Sequence, residues 1–583
     1  MNPETPSTSS GQAKTCQNCK QAFTIEPADF EFYAKIAVPP PTFCAECRNI
    51  QRFATRNAKS LYHRRCDKPA RPDGAGGCGQ NVISRISPVN PAKMWCKKCW
   101  WADDWDGTDY GRDYDFSRPF HDQFYEILMT VPHVSLFSTN MTNSDYCNME
   151  TDDKNCYLTF GGHYNEDCAY SEYSIHGKNV YDSYWAFNSE QCFGCINIEK
   201  CYRAFLSRDC SNCMDAYFSY DCRGCTNIIG CAGLRNKQYY IYNEQYAKEE
   251  YEARKGALGL NTHTGLEQVK QQAKEVWEKT PRKFANISQS VGCTGHDITN
   301  SKNSANCWNV DSDEDCKNMY IAANNKDCMD ESSVGGDELS YMCANGGGFY
   351  NCKFLLYSFT KDVLRVKQTY NSEYSYCITN TSDCFGCVNL RKKQYCILNK
   401  RYSKEEYEEL LPKIKQHMLD MPYVSPKTGY TYGYGDFFPT EHSLFAYNES
   451  VANDFYPMTK EEAEKSGFPW REEPETAQAG SGYVIPNDIQ DVGDDILQAV
   501  LICEETGKAY RITKAELEFY RMTNLPIPRV APLKRIKNRI NQLLPFRLYD
   551  RECMKCKKSL NSPYPPDRPE IVYCEQCYQQ EVV

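Results

Sequence analysis

Twelve cysteines near the two ends of the chain stand at metal-ligand spacing. Near the C-terminus, Cys553-x2-Cys556 and Cys574-x2-Cys577 are separated by 17 residues. Near the N-terminus, Cys16-x2-Cys19 and Cys44-x2-Cys47 make one set of four, and Cys66, Cys78, Cys96 and Cys99 make a second. Two paired knuckles bring four thiolates to one point, the donor set of a structural Zn²⁺ site. Such a site is closed and leaves no coordination position for a substrate, so these residues predict folding by metal and not catalysis. Three Zn²⁺ are expected. Iron or redox use is the alternative, but zinc suits four thiolates without redox demands. In the second N-terminal set a Gly-rich insertion, "DKPARPDGAGG", splits the first knuckle.

The two ends are copies of one module. Shifting the N-terminal segment by 487 positions aligns Cys16 to Cys66 with Cys503 to Cys553 without a gap, and 15 of the 51 columns are identical. The identities include Phe32-Tyr33 with Phe519-Tyr520, Arg48 with Arg535, and Arg52 with Arg539. After a nine-residue insertion in the first copy, Cys78, Cys96 and Cys99 meet Cys556, Cys574 and Cys577. The first ligand set of the second copy has become Cys503, Thr506, Ala531 and Lys534. Three of its four ligands are gone, so that site is expected to be metal-free and held by packing.

Between the ends, cysteines run through two arrays. From Cys147 to Cys231 every separation is a multiple of three, and a second run includes Cys307, Cys316, Cys328, Cys343 and Cys352. Asp or Asn directly precedes an array cysteine ten times. Asp and Asn tolerate corner geometry, and the following Cys would point inward as a small buried group. With Tyr, Phe, Val and Ile between corners, this predicts short strands in two β-solenoid-like arrays with narrow, Cys-lined interiors. "LRNKQYYIYNEQYAKEEYE" (234 to 252) and "LRKKQYCILNKRYSKEEYE" (390 to 408) close the arrays. Each is followed by a capping helix, with capping boxes expected at Ser403/Glu406 and Thr264/Glu267. The tight pairs Cys192/Cys195, Cys210/Cys213, Cys222/Cys225 and Cys384/Cys387 fit metal binding or corners three residues apart. Their shared three-residue phase favours corners.

Other chemistry is sparse. Asp103, Asp104, Asp106, Asp109, Asp113 and Asp115 do not fit an EF-hand and read as a solvated loop, followed by a helix capped at Ser117 with Phe120, Phe124, Ile127 and Leu128 on one face. The nine histidines form no HExxH, and there is no phosphate-binding Gly loop. No catalytic or cofactor-binding residue is assigned, and an enzyme is the less favoured reading. Tyrosine is abundant, at 43 residues, and its faces could pack between strands or stack bases or sugars.

At 583 residues the chain exceeds one core. No apolar run reaches membrane-spanning length, and the polar first 14 residues resemble neither a signal nor a transit peptide. The expected location is cytoplasmic, where the 34 cysteines stay thiols or metal ligands. The net charge of −10 conceals an asymmetry: residues 1 to 100 carry +8, residues 501 to 583 carry +5, and the middle carries −23. Basic ends point to an anionic partner or to counter-ions for negatively charged Zn(Cys)4 sites.

The expected fold is mainly β with some α. Its order is a disordered stretch (1–15), a double zinc module (16–101), an acidic loop and connecting helix (102–142), a first array (143–246), a helical segment (247–290), a second array (291–402), a helix (403–420), an extended linker (421–495) and a C-terminal zinc module (496–583). Combined with "CWWADDWDGTDYGRDYDFSRPF" and "FAYNESVANDFYP", these motifs resemble an uncharacterised bacterial family of multi-zinc-ribbon, Cys-rich repeat proteins. The resemblance implies zinc binding and this domain order, and no activity. The expected function is a zinc-stabilised, non-enzymatic scaffold binding nucleic acid, RNA before DNA, or a protein assembly. Thiol-based metal buffering or redox chemistry is the alternative, and a solenoid enzyme acting on polysaccharide is third. Oligomeric state, partner and process are not legible.

Overall fold

A computed structural model describes residues 11–70, 77–358, 368–472 and 482–582. The fold is mixed α/β, with most strands in parallel sheets. The chain forms two compact units. One comprises Met1–Leu136 with Asn286–Glu472, and the other Phe137–Ala285 with Glu473–Val583. The N-terminal module therefore folds with the second array, and the C-terminal module with the first.

In both arrays the backbone follows a three-residue rule. Every third residue has a left-handed φ, as at Asn155, Asp167, Asn179, Asp209, Asn212 and Asp221 in the first array and Asn306, Asp315, Asp327 and Asn351 in the second. Asn and Asp enter this region more readily than other side chains, which explains the Asn/Asp-Cys dipeptides. The residue after each such corner is buried: Cys156, Cys168, Cys210, Cys213 and Cys222 are all at most 2 % exposed. Strands pair in parallel with a shift of 12 residues, as in Tyr184 with Ile196, Ile196 with Arg208, Trp308 with Tyr320 and Tyr320 with Ser332. Four three-residue sides thus complete one repeat, and four side chains fill its interior.

That interior is too narrow for large groups, so Cys, Ser and Ala dominate the buried cluster of the first array. The small polar groups satisfy themselves locally. Cys192 donates S–H to the Glu190 carbonyl at 3.3 Å, Cys210 to Arg208 at 3.3 Å, and Ser183 donates to Tyr181 at 3.0 Å. The second array also carries a polar ladder at the 12-residue step. Asp313 Oδ1 accepts from both nitrogens of Asn325 at 2.9 Å, and Asn325 Oδ1 accepts from the Asp337 amide at 2.9 Å. One repeat of this array is longer, pairing Phe349 with Thr369 over 20 residues, eight more than 12.

Each end module docks through its duplicated residues. In the first unit, helix Ala45–Ala54 directs Arg48 to Asp330 at 2.8 and 3.0 Å, and Arg52 to Ser332 Oγ at 2.9 Å. In the second, helix Pro532–Ile540 directs Arg535 and Arg539 to Asp182 at 2.9 Å each. Both aspartates occupy left-handed corners and are buried. Asp182 lies 66 residues before the helix at Lys248, and Asp330 lies 74 before the helix at Lys404. The eight-residue excess is the long repeat, so the two aspartates are equivalent. Aromatic contacts also recur: Tyr33 meets Tyr341 at 5.6 Å, and Phe519 stacks on Tyr181 at 4.0 Å. Part of the basic charge of the ends is thus neutralised within each unit by acidic array residues.

Several local expectations are corrected. Residues 1–10 lie outside the described residues, but Gln12–Thr15 form a strand paired with Ala22–Ile25. The helix Phe120–Thr130 begins after Pro119, because Ser117 is engaged by Asp115 in a turn at 2.7 Å. The cap of His263–Lys279 is Thr262, which accepts from the Gly265 amide at 3.0 Å; Thr264 is already inside the helix. Ser403 and Glu406 form their capping box. Residues 421 to 472 are not a plain linker: they include the hairpin Tyr423–Val424 with Thr431–Tyr432 and helices Ala452–Phe455 and Lys460–Lys465. The stretch near 472 to 482 expected to be flexible lies mostly outside the described residues. In the acidic loop, Asp104, Asp106 and Asp113 are not simply solvated but pair with Lys68, Lys393 and Lys400.

Two outcomes follow. Arg48→Ala leaves Asp330 buried without its partner and is expected to cost about 3–5 kcal/mol in denaturant unfolding, whereas Arg48→Met with Asp330→Leu costs much less. Burial, partly opposed by the amide and side chain of Asn325, raises the Asp313 carboxyl to about 7. Its stability contribution is full below the unfolded value near 3.8 and is lost as pH rises to about 7, a loss on the order of 3 kcal/mol. Asp313→Asn keeps the acceptor oxygen and should flatten that part of the pH–stability curve; an unchanged slope rejects the assignment.

Candidate metal centres

Each cysteine group is built from a hairpin turn and a helix start. In the first, strands Gln12–Thr15 and Ala22–Ile25 present Cys16, whose amide donates to the Gln21 carbonyl at 2.9 Å while Lys20 turns back at φ 60°. Cys44 is the residue before helix Ala45–Ala54, and its amide donates to Cys16 Sγ at 3.3 Å. The second group repeats this with Cys66 and Cys96, where the Cys96 amide donates to Cys66 Sγ at 3.2 Å. In the third, the Cys574 amide donates to Cys553 Sγ at 3.3 Å. The inserted loop of the second knuckle falls partly outside the described residues, yet its hairpin closes through Cys66 and Gln80.

The structure brings together all twelve cysteines in the expected sets. Within Cys16/Cys19/Cys44/Cys47, Cys66/Cys78/Cys96/Cys99 and Cys553/Cys556/Cys574/Cys577, the sulfurs all lie within 4.8 Å of one another. Adjacent edges are 3.8, 3.8 and 3.7 Å. Amide donors favour thiolate in these groups. Burial opposes ionisation of Cys553, but the amides of Cys556, Cys574 and Lys555 outweigh it and bring the thiol down to about 6. Cys577 in the same group is pushed up to about 12, by burial and then by its neighbouring thiols. Without a cation the thiols thus share few negative charges; a bound cation would permit all four.

The degenerate set keeps the fold of a knuckle. The Cys503 amide donates to Lys508 at 3.0 Å, Gly507 donates back to Cys503 at 2.9 Å, and Gly507 takes φ 67°. Ala531 precedes its helix as Cys44 does, and Lys534 pairs with Glu505 at 3.3 Å. A fifth knuckle, unanticipated from sequence, has no cysteine. Ser425 donates its amide to Tyr430 at 2.9 Å, Gly429 donates to Ser425 at 2.9 Å, and Gly429 takes φ 72°. Ser425 Oγ stands in for sulfur, accepting from the Lys427 and Thr428 amides at 3.3 and 3.2 Å. The match of "SPKTGY" with "CEETGK" was the available signal. This hairpin covers the first cysteine group, with Tyr423 and Tyr432 packed against Cys16, Phe43 and Cys47.

The array pairs behave differently. Among the described residues, only the three end groups bring three or more donor atoms within 4.8 Å of one another. Cys195, Cys213, Cys222 and Cys387 instead donate to backbone carbonyls. Burial raises the thiols of Cys195 and Cys222 to about 12, so they stay protonated at neutral pH. No helix of the described residues is long and apolar enough to cross a membrane. No protein-family model and no curated protein matches this chain.

If ligand loss alone silenced the degenerate site, Thr506→Cys, Ala531→Cys and Lys534→Cys together should restore four thiols on an intact knuckle. Elemental analysis of the triple variant is expected to show one metal equivalent more than the parent. No gain would mean that the knuckle geometry has also drifted.

Proposed function

We propose that this protein is a zinc-stabilised, non-enzymatic scaffold. The observation that carries the reading is the sulfur geometry of the three end groups. A tetrahedron with Zn–S bonds of about 2.3 Å has edges of about 3.8 Å, close to the 3.7–3.8 Å between neighbouring sulfurs. All four donors of each group are protein thiols, which leaves zinc a structural role. In this reading the arrays are β-solenoids with a 12-residue turn, each buttressed by one metal-bearing module. Zinc binding orders the module, and the ordered module presents the arginines that grip its array.

For the partner we propose a polyanion such as RNA. Arg65, Lys93 and Lys98 beside the second cysteine group, and Lys557 and Lys558 beside the third, are exposed. The buried arginines are used internally and do not contribute. A protein assembly is the alternative the same experiment addresses. RNA binding at about 50 mM salt should weaken steeply as salt rises and fall with Lys93→Glu/Lys98→Glu. Absence of binding at low salt favours the protein partner.

The metal assignment has its own test. Cys553→Ser/Cys577→Ser should lower bound zinc by one equivalent per chain. Chelation should expose both ends to protease and lower the melting temperature. Unchanged zinc content in the double variant, or unchanged proteolysis after zinc removal, would sink the structural-zinc reading.

A further inference from the structure

The first complete turn of the first array carries an unusual interior. Its four inward positions, spaced by three, are Cys147, Glu150, Asp153 and Cys156, in the stretch "CNMETDDKNC". All four are at most 2 % exposed. Elsewhere in this interior, small groups satisfy themselves against the backbone. Here both carboxylate oxygens of Glu150 and Oδ2 of Asp153 are buried without a hydrogen-bond partner. The other oxygen, Asp153 Oδ1, accepts from the Asn165 amide at 2.8 Å, which fixes that carboxyl in place. Cys147 also departs from the pattern: its sulfur accepts from Thr159 Oγ1 at 3.1 Å. Twelve residues beyond Glu150 the inward position is Gly162, which leaves the space above the glutamate free of a side chain.

Buried carboxylates are normally paired, hydrogen-bonded or bound to a cation. Two thiols and two carboxyls on one ring offer the mixed sulfur and oxygen donors that a borderline divalent ion accepts. We infer that Cys147, Glu150, Asp153 and Cys156 form a fourth metal site, for Zn²⁺ or an ion of like chemistry, inside the first array. The donors are more widely spaced than in the end groups, where all sulfurs lie within 4.8 Å. The long Glu150 side chain supplies the reach to close the ring. Loading M²⁺ displaces the protons of both thiols and of the carboxyl that is protonated in the metal-free ring; no electrons move. Bound this way, the ion would staple the first turn of the array, where one face of the stack has no preceding turn.

The test uses the full chain reconstituted with Zn²⁺ and freed of loosely held metal. Four equivalents per chain are expected, three in the end groups and one here. Glu150→Gln and Cys147→Ser should each return the content to three, while Glu331→Gln, a buried glutamate beside Cys328 and Cys343 but with Val334 in its ring, should leave four. Co²⁺ substitution gives a second readout, since loss of a thiolate-to-cobalt absorption equal to one site should accompany Cys147→Ser. Should Glu150→Gln fold poorly, Asp153→Asn reports the same loss. Three equivalents in the parent, or four in the ring variants, overturns the site. A parent with three equivalents whose Glu150→Gln variant is more stable at neutral pH would identify the ring as a protonated acid pair instead. Loss of equivalents through Cys553→Ser alone bears on the end groups and not on this ring.

Discussion

A side of only three residues governs the arrays. With one left-handed corner in every three positions, each side of a turn can send one side chain inward. Four such side chains share a narrow interior, and large groups cannot be accommodated side by side. Cysteine fits this constraint because it is small, apolar enough to bury and able to give its weak S–H to a carbonyl two residues back. Serine meets the same requirement, which is why the two alternate at inward positions such as Ser183 and Cys195. The abundance of array cysteine is therefore a packing consequence, separate from the metal-ligating cysteines at the ends.

The corner residues bear the cost of this geometry. Asn, Asp and Gly adopt the left-handed region at little expense, but Leu158, Tyr170, Trp185 and Phe218 also occupy it. Such placements cost on the order of 1 kcal/mol each. They are offset by the parallel ladder and by the packing of outward side chains, as where Tyr173 stacks on Trp185 at 5.3 Å. Asp182 and Asp330 show a second use of the corner. Each is presented outward from its array and buried under a module, where an arginine neutralises it.

The modules obey a different economy. Five knuckles share one turn, closed by the same two backbone hydrogen bonds in the four with unsplit loops, yet only three serve groups of four cysteines. Where cysteines are lost, Cys503 or Ser425 still accepts the turn amides, so the backbone geometry outlives the metal. Packing against neighbouring aromatics, as at Tyr423 and Tyr432, holds a cysteine-free knuckle in place.

Short-range information was legible in the chain itself. Ligand spacing, the duplication of the ends, the loss of one ligand set and the inward phase of array cysteines all depend on residues a few positions apart. The identical columns Arg48/Arg535 and Arg52/Arg539 were visible too, but their role was not, because their aspartate partners lie 282 and more than 350 residues away. For the same reason the net +8 and +5 ends read as surfaces for a partner, when several of those charges are buried within the units. Only the tertiary structure decided which module joins which array, that Ser425 begins a knuckle, and that Glu150 and Asp153 lie inside a turn instead of on its surface. Local spacing determines what a segment can bind; which distant groups meet is set by burial, and burial is decided only when the chain has folded.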